Sequence, residues 1–220
     1  MKINFKNNDY LSIIIKIIAL IFFYFFQQVP NLILQLAILH KMQYQFKTQL
    51  LTTGIFIITI ILTVGILWLV LKKSQVFQSQ QLTKKSWTII ILGIIATVIV
   101  NLLLVNFMQP SNGNDNISAL TTIMKAFPLI FVIYVVFIAP ISEEILFRGL
   151  FINWFFADHL YLGTVCSSLL FGILHTSSDP IYFLSKCLLG FVLSLVYLRT
   201  KNIKASILVH FGNNLLALFI

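Results

Sequence analysis

Apolar residues run along this chain in long blocks separated by short polar breaks. The blocks cover residues 11 to 29, 50 to 71, 87 to 108, about 121 to 139, 161 to 174, 181 to 198 and about 205 to 220. A bilayer core of about 30 Å takes roughly 20 apolar residues per helix. The pattern therefore predicts an all-α fold, a polytopic transmembrane helix bundle of six to eight spans. The blocks at 50 to 71 and 87 to 108 are the clearest. Residues 30 to 49 mix Leu and Ile with Gln35, Gln43, Gln45, His40 and Lys47; they are too polar to assign as a span and compatible with an interfacial helix. Lys16, inside the first block, is expected to snorkel to the headgroups as an anchor without chemistry.

The breaks carry the topology. Lys72, Lys73, Lys84 and Lys85 lie in one of them and Arg199, Lys201 and Lys204 in another, so both are expected on the cytosolic side. Residues 109 to 116 carry neither Lys nor Arg and are expected opposite. An odd number of crossings, here three, then lies between 120 and 199, with 121 to 157 forming one kinked, partly re-entrant unit. Proline disfavours the helical region for the residue before it, so Pro140 predicts a kink near Ala139.

Composition agrees with the pattern. Of 220 residues, 59% are hydrophobic and 10% charged, and the mean hydropathy is +0.98, outside the range of soluble globular proteins. The formal charge of +9 sits in loops between apolar segments, which argues for membrane orientation and against a nucleic-acid partner. Cys166 and Cys187 lie in apolar stretches without ligand spacing and are expected to be free thiols. The basic N-terminus leads into an apolar run, yet Gln27-Gln28-Val29-Pro30 after Phe26 offers no small-residue cleavage site, so the first segment is expected to be retained.

Candidate chemistry gathers in the last third. Glu143 and Glu144 are the only glutamates, and Arg148 is one of two arginines. Ionisable groups at membrane depth are costly and mark function. On a helix Glu144 and Arg148 are i and i+4 and share a face, whereas Glu143 points about 100° away. Glu144 then has a built-in counter-ion, and Glu143 is the candidate general base. A buried ion-pair network that only fixes packing would use the same residues. His175 ends an apolar block; His210 and Asn214 are i and i+4 on the last one, a plausible donor pair for an oxyanion. Asn213 could share that face or hydrogen-bond across helices.

Glu143-Glu144-x-x-x-Arg148, Phe171-x-x-x-His175 and His210-x-x-x-Asn214 resemble, in order and type, the three motifs of the CAAX-protease and bacteriocin-processing family, which includes Ras-converting-enzyme-like endopeptidases and bacterial Abi proteins. The resemblance covers about residues 121 to 220, a catalytic membrane core, and leaves 1 to 120 as an N-terminal transmembrane region of unassigned role. It implies intramembrane proteolysis of a hydrophobic, prenylated or bacteriocin-related peptide near the cytosolic face of a bacterial cytoplasmic membrane. Glu143 and His175 would activate water, His210 and Asn214 would hold the oxyanion, and Glu144 and Arg148 would support the site. The family is often called a metalloprotease family; if a metal takes part, Glu143, His175 and His210 are the set and zinc the ion. There is no His-Glu-x-x-His helix, water activated without metal explains the motifs equally well, and no cofactor is the expectation. A non-catalytic bacteriocin-immunity or peptide-binding protein is the alternative.

Overall fold

The computed structural model describes residues 10–41, 45–74, 80–108, 115–175 and 179–219, with 115–120 described by backbone alone. The basic N-terminal stretch, most of the 109 to 116 turn and residues 176–178 lie outside them. Eight helices are present among the described residues: α1 (Tyr10–Leu39), α2 (Phe46–Ser74), α3 (Lys84–Leu104, continued by a 3-10 turn Val105–Phe107), α4 (Asp115–Ala126), α5 (Pro128–Phe155), α6 (Leu160–Leu174), α7 (Pro180–Thr200) and α8 (Ile203–Leu216). Five of them, α1, α2, α3, α5 and α7, are long and apolar enough to cross a membrane. The chain is an integral membrane protein with a polytopic all-α bundle. Helices α6 and α8, with 15 and 14 residues, reach only about 22 Å each at 1.5 Å per residue, so they are shorter than full crossings.

The ambiguous stretch 30 to 49 is no separate interfacial helix. Helix α1 runs through Pro30 to Leu39, and α2 starts at Phe46. The kink also falls elsewhere than expected. The chain breaks at Phe127 (φ −138°, ψ 65°), before Pro128, which takes the first turn of α5. At Pro140 the helix does not break but widens: Tyr134–Ile138 and Ile145–Ile152 are π-helical, on either side of the α-helical Ala139–Glu144. Proline has no N–H to offer, and a wider turn is one way for a helix to continue past it.

Caps set where the shorter elements begin. Asp179 accepts from the Ile181 N–H at 2.8 Å, with Pro180 in the first turn of α7. Asn202 accepts from the Lys204 N–H at 2.9 Å and starts α8. Thr83 and Ser86 form a reciprocal capping box at α3. The Asn202 amide also donates to Gln80 O at 2.6 Å, and the Gln80 N–H donates to Lys201 O. These bonds join the α2–α3 loop to the α7–α8 turn, so both basic breaks lie at one end of the bundle, as the charge pattern predicts.

Packing is closest where small residues meet. A methyl group built on Gly190 of α7 would come 3.1 Å from the Ser168 backbone of α6, and one on Gly172 would collide with Cys187. Helices in lipid gain from such close approach, because lipid tails already satisfy apolar surface. A larger core of α2, α3 and α5 to α8 includes Leu67, Ile90, Phe147, Phe171, Leu193 and Val209. A smaller one, with Leu34, Phe56, Phe127 and Tyr134, joins α1, α2 and α4 to the first half of α5.

Candidate active site

Glu143 and Glu144 sit at the end of the α-helical turn between the two π stretches of α5. Glu144 is fully buried. Its Oε1 accepts from Arg148 Nη1 at 3.0 Å and from His210 Nδ1 at 2.9 Å. Arg148, equally buried, donates from Nε to Ser194 Oγ at 3.1 Å and from Nη2 to Gly190 O at 2.7 Å, and lies 5.0 Å from the Phe171 ring centroid. The predicted i, i+4 pair is present, and α7 completes it. Gly190 serves twice, since its lack of a side chain admits α6 and its carbonyl meets the guanidinium.

Glu143 points elsewhere. Its side chain is 22% exposed, with Oε2 3.8 Å from His210 Nε2. One imidazole therefore stands between the two glutamates, held by Glu144 and facing Glu143. Because an ionised carboxylate can only accept, the proton on His210 Nδ1 is fixed by Glu144, and Nε2 is the nitrogen turned toward the cavity. The same reasoning applies to His175, whose Nδ1 lies 2.7 Å from Phe171 O. A carbonyl only accepts, so Nδ1 carries the proton and the neutral ring keeps its basic lone pair on Nε2. Phe171 links the parts: its ring lies 4.2 Å from that of His175 and 5.9 Å from that of His210.

Asn214 is held by the irregularity of α5. The Ala139 N–H reaches back to Tyr134 O, and Pro140 has no N–H, so the Val135 carbonyl is left without its helical donor. Asn214 Nδ2 takes it at 2.9 Å. Asn213, weighted less from sequence, is 3% exposed; it donates to Asn214 Oδ1 at 3.0 Å and accepts from Asn101 Nδ2 at 2.9 Å. A chain of carboxamides thus runs from α3 to α5 through α8. Asn101 carries no motif context and is 112 residues from its partner, so nothing in the sequence marks it.

These groups surround one cavity of about 460 Å³. Glu143, His175, His210 and Asn214 all line it, together with Asn101, Asn213, Tyr134, Tyr182 and Lys186. Glu144 and Arg148 do not line it; they stand behind His210. His175 reaches the same cavity as Glu143 because α6 is short and its C-terminal end opens onto it. Helix α1, which sequence left without a role, supplies Tyr24, Gln27, Gln28 and Asn31 to the wall. A second, apolar cavity of about 250 Å³ lies between α1, α5 and α6 and shares Tyr24, Phe147 and Leu174 with the first. The main cavity draws on the middle of α1, the ends of α3, α6 and α8, the first two-thirds of α5 and the first half of α7. It therefore runs from the middle of the bundle toward the end away from the basic breaks, whereas the resemblance implies a cut near the cytosolic face.

His175 and His210 each commit Nδ1 within the protein, and each keeps Nε2 beyond its bonded nitrogen. Among the described residues no three His, Cys, Asp or Glu side chains gather as a metal-binding group.

The class defined by this fold and site is a polytopic membrane protein whose bundle encloses a carboxylate and histidine cluster beside a polar cavity. Residues 125–216 match the family described as type II CAAX prenyl endopeptidase Rce1-like. The matched segment contains Glu143, Glu144, Arg148, His175, His210 and Asn214, the residues of the three motifs. Two relatives come from Lactococcus lactis subsp. lactis (strain IL1403). UPF0177 protein YbdI is 36% identical over 86 residues, 39% of this chain and 46% of its own length. UPF0177 protein YvdC is 26% identical over 223 aligned positions, 95% of this chain and 83% of its own. The first match thus spans under half of that relative. No solved structure matches the chain.

Proposed function

We propose that the chain is an intramembrane endopeptidase that hydrolyses a peptide bond of a hydrophobic or lipidated substrate in a bacterial cytoplasmic membrane. The observation that carries this reading is the division of labour between the two glutamates. Glu144 is paired with Arg148 away from the cavity, and Glu143 stands in the cavity beside two histidines whose tautomers are set by their own partners.

In this reading Glu143, with His175 Nε2, takes a proton from a water held in the cavity. The hydroxide adds to the scissile carbonyl carbon. The resulting oxyanion is met by the second N–H of Asn214 Nδ2 and by His210 Nε2 in its protonated form. The proton then passes to the amine nitrogen as the C–N bond breaks, leaving a carboxylate and a free amine. Glu144 and Arg148 are positioning residues that act through His210. The apolar side cavity suits a hydrophobic side chain or lipid group next to the cut. If the basic breaks face the cytosol, the substrate enters from the opposite side.

The test works whatever the substrate is. The protein and its Glu143→Gln variant are expressed at equal levels, and new N- and C-termini are mapped across the proteome by mass spectrometry. Termini found only with the unmodified protein are expected, and they name the substrates. Identical profiles, with an associated phenotype such as bacteriocin resistance surviving the substitution, would instead establish a non-catalytic peptide-binding or immunity protein.

A further inference from the structure

We propose that α1 carries a substrate-reading face, on which Gln27 accepts a hydrogen bond from a backbone N–H of the peptide in the cavity. The proposal rests on the reading that the cavity takes a peptide. Tyr24, Gln27, Gln28 and Asn31 all line the cavity, and their spacing of i, i+3, i+4 and i+7 makes one stripe along an otherwise apolar helix. The stripe lies far outside the matched segment, which begins at residue 125.

Gln27 is the decisive member. It is 4% exposed, and its Oε1 has no hydrogen-bond partner among the described residues. A buried acceptor left unpaired is costly, so native structures rarely keep one without an occupant to meet it. The amides of α3 and α8 that line the cavity direct an N–H to other partners than Gln27. Asn101 donates to Asn213, Asn213 to Asn214, and Asn214 to Val135 O. Lys186 lies 4.9 Å over the Tyr182 ring. A donor carried by whatever fills the cavity would complete the Gln27 acceptor.

A polypeptide brings one N–H per residue. From Tyr24 to Asn31 the stripe rises about 10 Å, the length of about three residues of extended chain. Tyr24 also anchors the stripe near the reaction centre, since its hydroxyl lies 3.5 Å from Leu174 O, beside His175. The stripe thus runs along a peptide whose bond is presented to Glu143 and His175. Main-chain hydrogen bonds of this kind give affinity without demanding a particular side chain.

The test uses the full chain in nanodiscs, as wild type and as Glu143→Gln, incubated with peptides from a proteolytic digest of bacterial membrane proteins. Peptides cut by the wild type, or retained by Glu143→Gln without being cut, are resynthesised with each backbone N–H in turn replaced by N–CH3. At one position, N-methylation is expected to raise KM, or Kd for a retained peptide, about tenfold in a protein with Gln27 and under about twofold in Gln27→Leu. Gln27→Glu, which keeps an acceptor oxygen, is expected to retain the penalty. Equal penalties at every position in the wild type and Gln27→Leu would overturn the proposal, as they would for a Gln27 that bonds only water. Retention without cutting, with the coupling intact, overturns the protease reading and leaves this face standing. Neither cutting nor retention overturns both.

Discussion

Removing the guanidinium of Arg148 breaks a fully buried ion pair, Arg148 Nη1 to Glu144 Oε1 at 3.0 Å. Arg148→Met keeps the length of the stem but leaves the Glu144 carboxylate, fully buried, with only the neighbouring His210 Nδ1 and Ser206 hydroxyl to meet it. It also removes donors from Ser194 Oγ and Gly190 O, which still bond each other at 2.8 Å. Breaking one side of a buried pair costs about 3–5 kcal/mol, because the survivor keeps its charge without compensation. Glu144→Gln alone strands the guanidinium, which still has Gly190 O and Ser194; a cost of about 3 kcal/mol is expected, at the low end of the same range. The double variant removes both charges, and about 1–2 kcal/mol should remain, the size of one or two lost hydrogen bonds. The two sites are therefore coupled by about 4 kcal/mol or more. Thermal unfolding in detergent, followed through the reactivity of the buried Cys187 thiol in a Cys166→Ala background, measures this. Arg148→Met should fall by about 10 °C and the double variant should recover most of it. If the single variants cost under about 1 kcal/mol, or their effects simply add, the pair is not the buried, mutually dependent unit described above.

Three further outcomes follow from other parts of the structure. Pro140→Ala returns an N–H to α5 that competes with Asn214 for the helix carbonyls; stability should change by under about 1 kcal/mol, while the yield of new termini should fall about tenfold in a time course by mass spectrometry. Lys16→Met removes the ammonium that meets Trp154 O at 3.4 Å near the end of α5, and chemical unfolding should show a loss of about 1–2 kcal/mol. In a background lacking Cys166 and Cys187, cysteines at Lys85 and Lys201 should label with a membrane-impermeant maleimide only after cells are opened, and one at Ala217 in intact cells; the reverse pattern would put the cavity on the cytosolic side.

The class of fold was legible because apolar blocks of bilayer length have few other readings. The three motifs were legible because charge is scarce here, and scarcity makes each glutamate, arginine and histidine informative. What escaped has physical causes. An α-helical wheel places Glu144 with Arg148 but cannot show π widening, which depends on which carbonyls Pro140 leaves open. Asn101 and Asn213 pair across 112 residues, and no local period records that. Lys16 reads as an anchor in one dimension, whereas in the bundle it is 6% exposed against the end of α5. Gln27 and Gln28 entered the sequence reading only as the lack of a cleavage site, because their place on the cavity wall appears only once α1 is laid against α5 and α6.

The two π stretches of α5 have a consequence for comparing this chain with its relatives. A π turn holds one more residue than the α turn it replaces, so Tyr134–Ile138 and Ile145–Ile152 store slack on either side of the glutamates. A homologue one residue shorter in either stretch could keep both ends of the helix where they are, simply by tightening to α. Because the same turn is then made with one residue fewer, the flanking residues would keep their rotational phase. What would change is the hydrogen bonding: shortening before Glu143 would return a backbone N–H to Val135 O, the carbonyl that Asn214 now meets. A one-residue gap there, invisible to any count of apolar blocks, would therefore mark a relative that has kept the architecture and lost the open carbonyl that holds Asn214.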